Sequence, residues 1–171
     1  MKLFSEYIGE EIKFVQPSFF KRVHELRAGD ELIGSMQQKG LFGMTWYVTI
    51  LGKNFEIYRP SFWRSEMDIR EAGYEMPFAA FKRDGFRSRG TVALPMGTNF
   101  KIVPHLFKKF CEITNDREEV LARIKTKIAI GDKAEVTIEK KSEVIDRYPW
   151  IVMLAYIVSL EQKRRASRHS P

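Results

Sequence analysis

The chain has 171 residues, 44% of them hydrophobic and 30% charged, which suits one globular domain with a sizeable core and excludes a largely disordered chain. Its 29 basic residues outnumber the 22 acidic ones, and the formal charge of +7 points to anionic partners: nucleic acid, phosphorylated ligands or acidic lipid headgroups. The single cysteine, Cys111, excludes an internal disulfide and any zinc site built on cysteine pairs, and it fits a reducing compartment.

The N-terminal stretch MKLFSEYIGEE carries Glu6, Glu10 and Glu11 where a signal peptide needs its apolar region, so a cytoplasmic protein is expected. Further on, three segments look alike. PSFFKRVHELRAGDELIGSM begins at Pro17, PSFWRSEMDIREAGYEMPFAAF at Pro60 and PHLFKKFCEITNDREEVLA at Pro104. Aligned, they place Phe20, Trp63 and Phe107 together, followed by the cations Lys21, Arg64 and Lys108. Glu25, Asp68 and Glu112 come four positions later, and then Leu26, Ile69 and Ile113. Even spacing of this kind predicts a threefold internal repeat, with units at about 17–59, 60–103 and 104–140.

Each unit reads as β-structure. β-branched and aromatic runs such as MTWYVTIL, RGTVALP and KAEVTIEKK are separated by turn residues (AGD, GKN, MGT, GD) at short, regular intervals. Four strands per unit in three units predict about twelve. Alternation divides the repeated strand into an inward set (Phe20, Arg22, His24, Leu26; Trp63, Ser65, Met67, Ile69; Phe107, Lys109, Cys111, Ile113) and a wetter outward one. His24 and Cys111 are therefore expected as core fillers rather than as base and nucleophile. The charges on the wet face are expected to pair across strands.

YPWIVMLAYIVSL, from Tyr148 to Leu160, is followed at once by EQKRR. A membrane-spanning helix needs about 20 apolar residues, whereas a run of about 13 rises only about 20 Å. Pro149 suits a first helical turn, and a helix with no polar face must be buried all round. A barrel strand of about six residues is equally long. The run is therefore predicted as a helix over about 148–162 inside a closed β-barrel, with residues 163–171 as a solvated basic tail. A β-trefoil also has threefold symmetry but has no place for such a helix, and a propeller needs at least four blades.

A barrel of about twelve strands around an apolar C-terminal helix, with the wording RPSFWRSEMDIREAG and FAAFKRDG, resembles the tubby C-terminal-like superfamily, and in particular its bacterial LURP-one-related members. The phospholipid scramblases belong to the same group. The likeness spans essentially the whole chain. It implies a single barrel domain over 1–171 with a membrane-associated or signalling role and no established catalysis. Tubby-type domains bind phosphoinositide headgroups. This chain departs from the scramblases in having one cysteine and no acidic loop of EF-hand spacing, so scrambling is not carried over.

Catalytic motifs are missing: there is no GxSxG, HExxH, P-loop or GxGxxG. His24, His105 and His169 are scattered, and the pairs Glu10-Glu11 and Glu118-Glu119 read as solvated faces or turns. No catalytic residue, metal site or cofactor is assigned. The informative charges are basic. FKRDGFRSRG sets Lys82, Arg83, Arg87 and Arg89 around an Asp84-Gly85 hairpin beside Phe81 and Phe86, a candidate seat for a phosphate through forked guanidinium contacts. Lys163, Arg164, Arg165 and Arg168 form a candidate membrane-surface patch. Nucleic acid is not expected, because the strands lack RNA-binding wording. The expectation is a non-enzymatic module for anionic lipid headgroups, peripheral at the inner membrane face. The alternatives are an enzyme with an unrecognised polar pocket and a scaffold barrel. Neither the ligand nor the oligomeric state is specified by the sequence.

Overall fold

In a computed structural model of the chain, residues 2–18, 22–40, 44–61, 63–85, 89–105, 107–127 and 131–168 are described. The alternating segments form β1 (Ile12–Ser18), β2 (Val23–Ala28), β3 (Glu31–Lys39), β4 (Thr45–Ile50), β5 (Lys53–Tyr58) and β6 (Met67–Glu71). They continue as β7 (Ala79–Arg83), β8 (Gly90–Ala93), β9 (Asn99–His105), β10 (Phe110–Thr114), β11 (Val120–Lys127) and β12 (Lys133–Ile138). Each strand runs antiparallel to its sequence neighbours. β1 pairs with β12, with Ile12 opposite Val136 and Phe14 opposite Ala134, and the sheet closes into a barrel. Closure leaves no unpaired edge.

The pleat sorts side chains as alternation requires. In β4, TWYVTI, the side chains of Trp46, Val48 and Ile50 are buried, while Tyr47 and Thr49 face outward. Leu51 and Gly52, with φ of 46° and 74°, turn the chain into β5, one step before the expected GKN turn. Positive φ at both positions gives the twist that a two-residue hairpin needs. On the outer wall, Arg70 pairs with Glu56 directly across β5 and β6. Arg123 pairs with Glu112 directly across β10 and β11, at 2.9 Å.

Two expectations are corrected. The segments beginning at Pro17, Pro60 and Pro104 lead into β2, β6 and β10, but the strands start late, at Val23, Met67 and Phe110. His24, Leu26, Met67, Ile69, Cys111 and Ile113 point inward as expected, whereas Trp63 is 92% exposed and Phe107 fully so. Alternation cannot order residues that lie in a connection rather than in a ladder. Phe20 lies outside the described residues. The third segment supplies three strands rather than four, and the remaining wall strand is β1, from the N-terminal stretch. Its register against β2 shifts between Val15 and Ser18, a bulge in which Pro17 is free of the need to donate.

The end of the barrel where β1 begins is closed by a 3-10 turn, Phe4–Tyr7, and by the short helix α1 (Glu143–Arg147). Ser5 donates from both its backbone N–H and its hydroxyl to Asp146, at 2.7 Å each. Helix α2 (Trp150–Arg168) starts at this end and threads the barrel. Every residue from Trp150 to Leu160 is buried. The wall meets it on several sides. Phe55 and Phe78 pack against the ring of Trp150, Phe14 stacks on Tyr156 at 3.8 Å, and His24 Nδ1 lies 3.2 Å from the Tyr156 hydroxyl. At Gly34 of β3, an added Cβ would fall 2.7 Å from Met153 Cε, so the wall approaches the helix there through the lack of a side chain. The apolar run is thus core, and no described helix is long and apolar enough to cross a membrane. The helix continues past the expected boundary near 162, so the described part of the basic tail, 163–168, forms its exposed last turns. Lysine and arginine favour helix, and they suit the negative end of its dipole.

Candidate functional site: the basic end of the barrel

Antiparallel neighbours in strict sequence order put the connections β1–β2, β3–β4, β5–β6, β7–β8, β9–β10 and β11–β12 at one end of the barrel. Helix α2 leaves through the same end. Lys163 donates to Asp132 of the β11–β12 connection at 2.9 Å, and Arg164 reaches Gln38 near the end of β3 at 3.5 Å.

At this mouth, the first charge after the apolar run, Glu161, is held by two arginines from the wall. Arg59, just beyond β5, donates Nη2 to both carboxylate oxygens at 2.6 and 2.7 Å. Arg83, the last residue of β7, donates Nη2 to Oε2 at 2.6 Å. The Arg83 side chain is only 3% exposed, and its Nε and Nη1 have no partner. Burial lowers its pKa, and the neighbouring Glu161 carboxylate works against that shift. The cluster ties helix to wall and leaves positive charge in excess. Sequence reasoning missed Arg59 and Glu161. The available signal was that Glu161 is the first charge met at the end of the apolar helix.

The described hairpin cations, Lys82, Arg83 and Arg89, are not brought together as one anion seat. Lys82 and Arg83 alternate across the wall, Lys82 outward and exposed, Arg83 inward onto Glu161. Arg89 is exposed, 3.6 Å from Asp84, and Arg87 lies outside the described residues. Cations from separate connections gather instead. Arg22, Arg64, Arg89, Lys108 and Lys109 are all exposed at this end, as are Lys163, Arg164, Arg165 and Arg168 on α2. Glu66, Asp84 and Asp132 are the acidic residues of the described connections here.

His24 and Cys111 lie in the core, as alternation predicts. Burial pushes the Cys111 thiol up to about 12 and His24 down to about 4. His105, on the outer wall, lies 2.8 Å from Glu112. Burial works to raise the Glu112 pKa, but hydrogen bonds from Arg123 and His105 outweigh it and leave the carboxyl below its ordinary range. Among the described residues, no group of three His, Cys, Asp or Glu side chains could hold a metal ion. At the opposite end, an open groove of about 520 Å³ is lined by Lys53, Asn54, Glu71, Tyr148 and Trp150, among others.

No protein-family model matches the chain, and no curated protein matches it significantly. A protein of Arabidopsis thaliana solved by X-ray crystallography is similar in structure. The TM-score is 0.58 at 13% identity, over 92% of this chain and 96% of that one. The likeness is one of fold: a closed antiparallel barrel with a C-terminal helix.

Proposed function

We propose that the barrel is a non-enzymatic module that binds anionic phospholipid headgroups, phosphoinositide-like, at the inner face of a membrane. One observation carries this. Cations from several connections and from the exposed turns of α2 crowd one end of the barrel, so that this end presents a basic face to anything approaching along the barrel axis. Polybasic surfaces of this kind gain roughly 1 kcal/mol per cation near an anionic leaflet. The partner surface is recognised by charge density and not by one deep pocket, in keeping with the division of Lys82, Arg83 and Arg89. We further place the chain within the tubby C-terminal-like superfamily as a LURP-one-related barrel of three repeated units. Supporting this are the lead-in segments at β2, β6 and β10, four strands apart, and the helix inside the barrel.

Vesicle co-sedimentation tests the function. The protein should pellet with phosphatidylcholine vesicles that contain phosphatidylserine or phosphoinositides, and not with phosphatidylcholine alone. Binding should weaken with salt. Joint replacement of Arg89, Lys108 and Lys109 by glutamine should reduce it by roughly tenfold or more. No pelleting on any anionic vesicle at low salt would overturn the proposal.

A further inference from the structure

The geometry points to Trp63 and Phe107 as anchors that enter the interfacial region of an anionic bilayer, seating the barrel end-on with its axis across the membrane plane. This rests on the headgroup reading above and adds to it a depth, an orientation and two residues. Both side chains are almost wholly exposed, at 92% and 101%. Trp63 lies in the β5–β6 connection and Phe107 in the β9–β10 connection, so topology puts both at the basic end. Each stands beside cations: Arg64 follows Trp63, and Lys108 and Lys109 follow Phe107. A large aromatic next to a cation suits the boundary between headgroups and acyl chains, where the ring is desolvated while the charge stays at the phosphates. Burial of either ring in the interfacial region would gain the transfer energy that exposure to water forgoes.

The opposite end supplies a contrast. It too exposes apolar side chains, Tyr74, Met76 and Met96. Its connections, including the one from β12 into α1, however carry Asp30, Glu75, Asp116, Glu118, Glu119 and Glu139 against Arg117, Lys140 and Lys141. An anionic surface is repelled there, so charge selects the end that carries Trp63 and Phe107 as the one that meets the bilayer.

Trp63 is its own reporter, because the other two tryptophans, Trp46 and Trp150, are buried. With phosphatidylserine-containing vesicles, its emission should move to the blue and become protected from acrylamide. Bromine atoms on the upper acyl chains should quench it. Trp63→Ser and Phe107→Ser, both at exposed positions, should each weaken vesicle binding by about tenfold and leave thermal stability unchanged. Salt should act as strongly on these variants as on the parent. Vesicle binding with Trp63 still open to acrylamide and untouched by bromine would overturn the insertion and leave the headgroup reading standing. Failure to bind anionic vesicles at all would remove both. A blue shift that grows with protein concentration without vesicles would assign the two rings to contact between copies of the chain and overturn the insertion.

Discussion

Arg83 and Glu161 meet at 2.6 Å, the last residue of a wall strand against the first charge of the helix that threads the barrel. The contact joins positions 78 residues apart and ties α2 to the wall at the mouth of the barrel. A buried guanidinium is tolerated only while its counter-charge is in place.

Removal of that counter-charge should therefore be costly. Glu161→Gln is expected to destabilise the barrel by about 2 to 4 kcal/mol, since it leaves the buried Arg83 charge beside Arg59 and Arg165 with no counter-charge. Adding Arg83→Met to the same chain should recover much of the loss. Urea denaturation of the three proteins checks the order. Equal stability of all three would mean that the pair does not tie helix to wall.

Leu154 lies midway along the enclosed helix and is fully buried. Leu154→Ala should leave a folded protein weakened by about 3 kcal/mol. Leu154→Asp should yield no folded protein, because nothing at that depth can compensate a carboxylate. Circular dichroism and yield from expression separate the outcomes. Native stability in the aspartate variant would show that the helix is not enclosed.

His24 gives the barrel a pH dependence with a definite sign. Burial holds it near 4, while in the unfolded chain it titrates near 6.5. The unfolded state thus binds the extra proton first as pH falls, and stability is lost through the window from about 6.5 down to about 4. From pH 7 to pH 5, His24 should contribute a loss of about 2 kcal/mol. His24→Leu should lower stability at pH 7 by removing the Tyr156 contact, yet flatten the slope between those pH values. Denaturation midpoints at both pH values give the comparison, and parallel slopes in the two proteins would contradict the assignment.

What the sequence by itself determined is what short-range patterning controls. Alternation placed His24, Leu26, Met67, Ile69, Cys111 and Ile113 inside, because a pleat sends successive side chains to opposite faces whatever the rest of the chain does. The length and uniform apolarity of the run from Trp150 to Leu160 made it a core helix instead of a span. Only the tertiary structure decided where strands begin and which end of the barrel a connection occupies. Trp63 and Phe107 follow the local pattern of inward residues, but they precede the first ladder hydrogen bonds and so escape it. Arg83 was legible as a cation beside Lys82. That it turns inward to Glu161 depends on the helix lying within reach, a condition set by closure of β1 onto β12. The basic end follows from the same cause. Arg64, Arg89, Lys108 and the last turns of α2 are far apart in the chain, and they share a surface because antiparallel strands in sequence order send alternate connections to the same end.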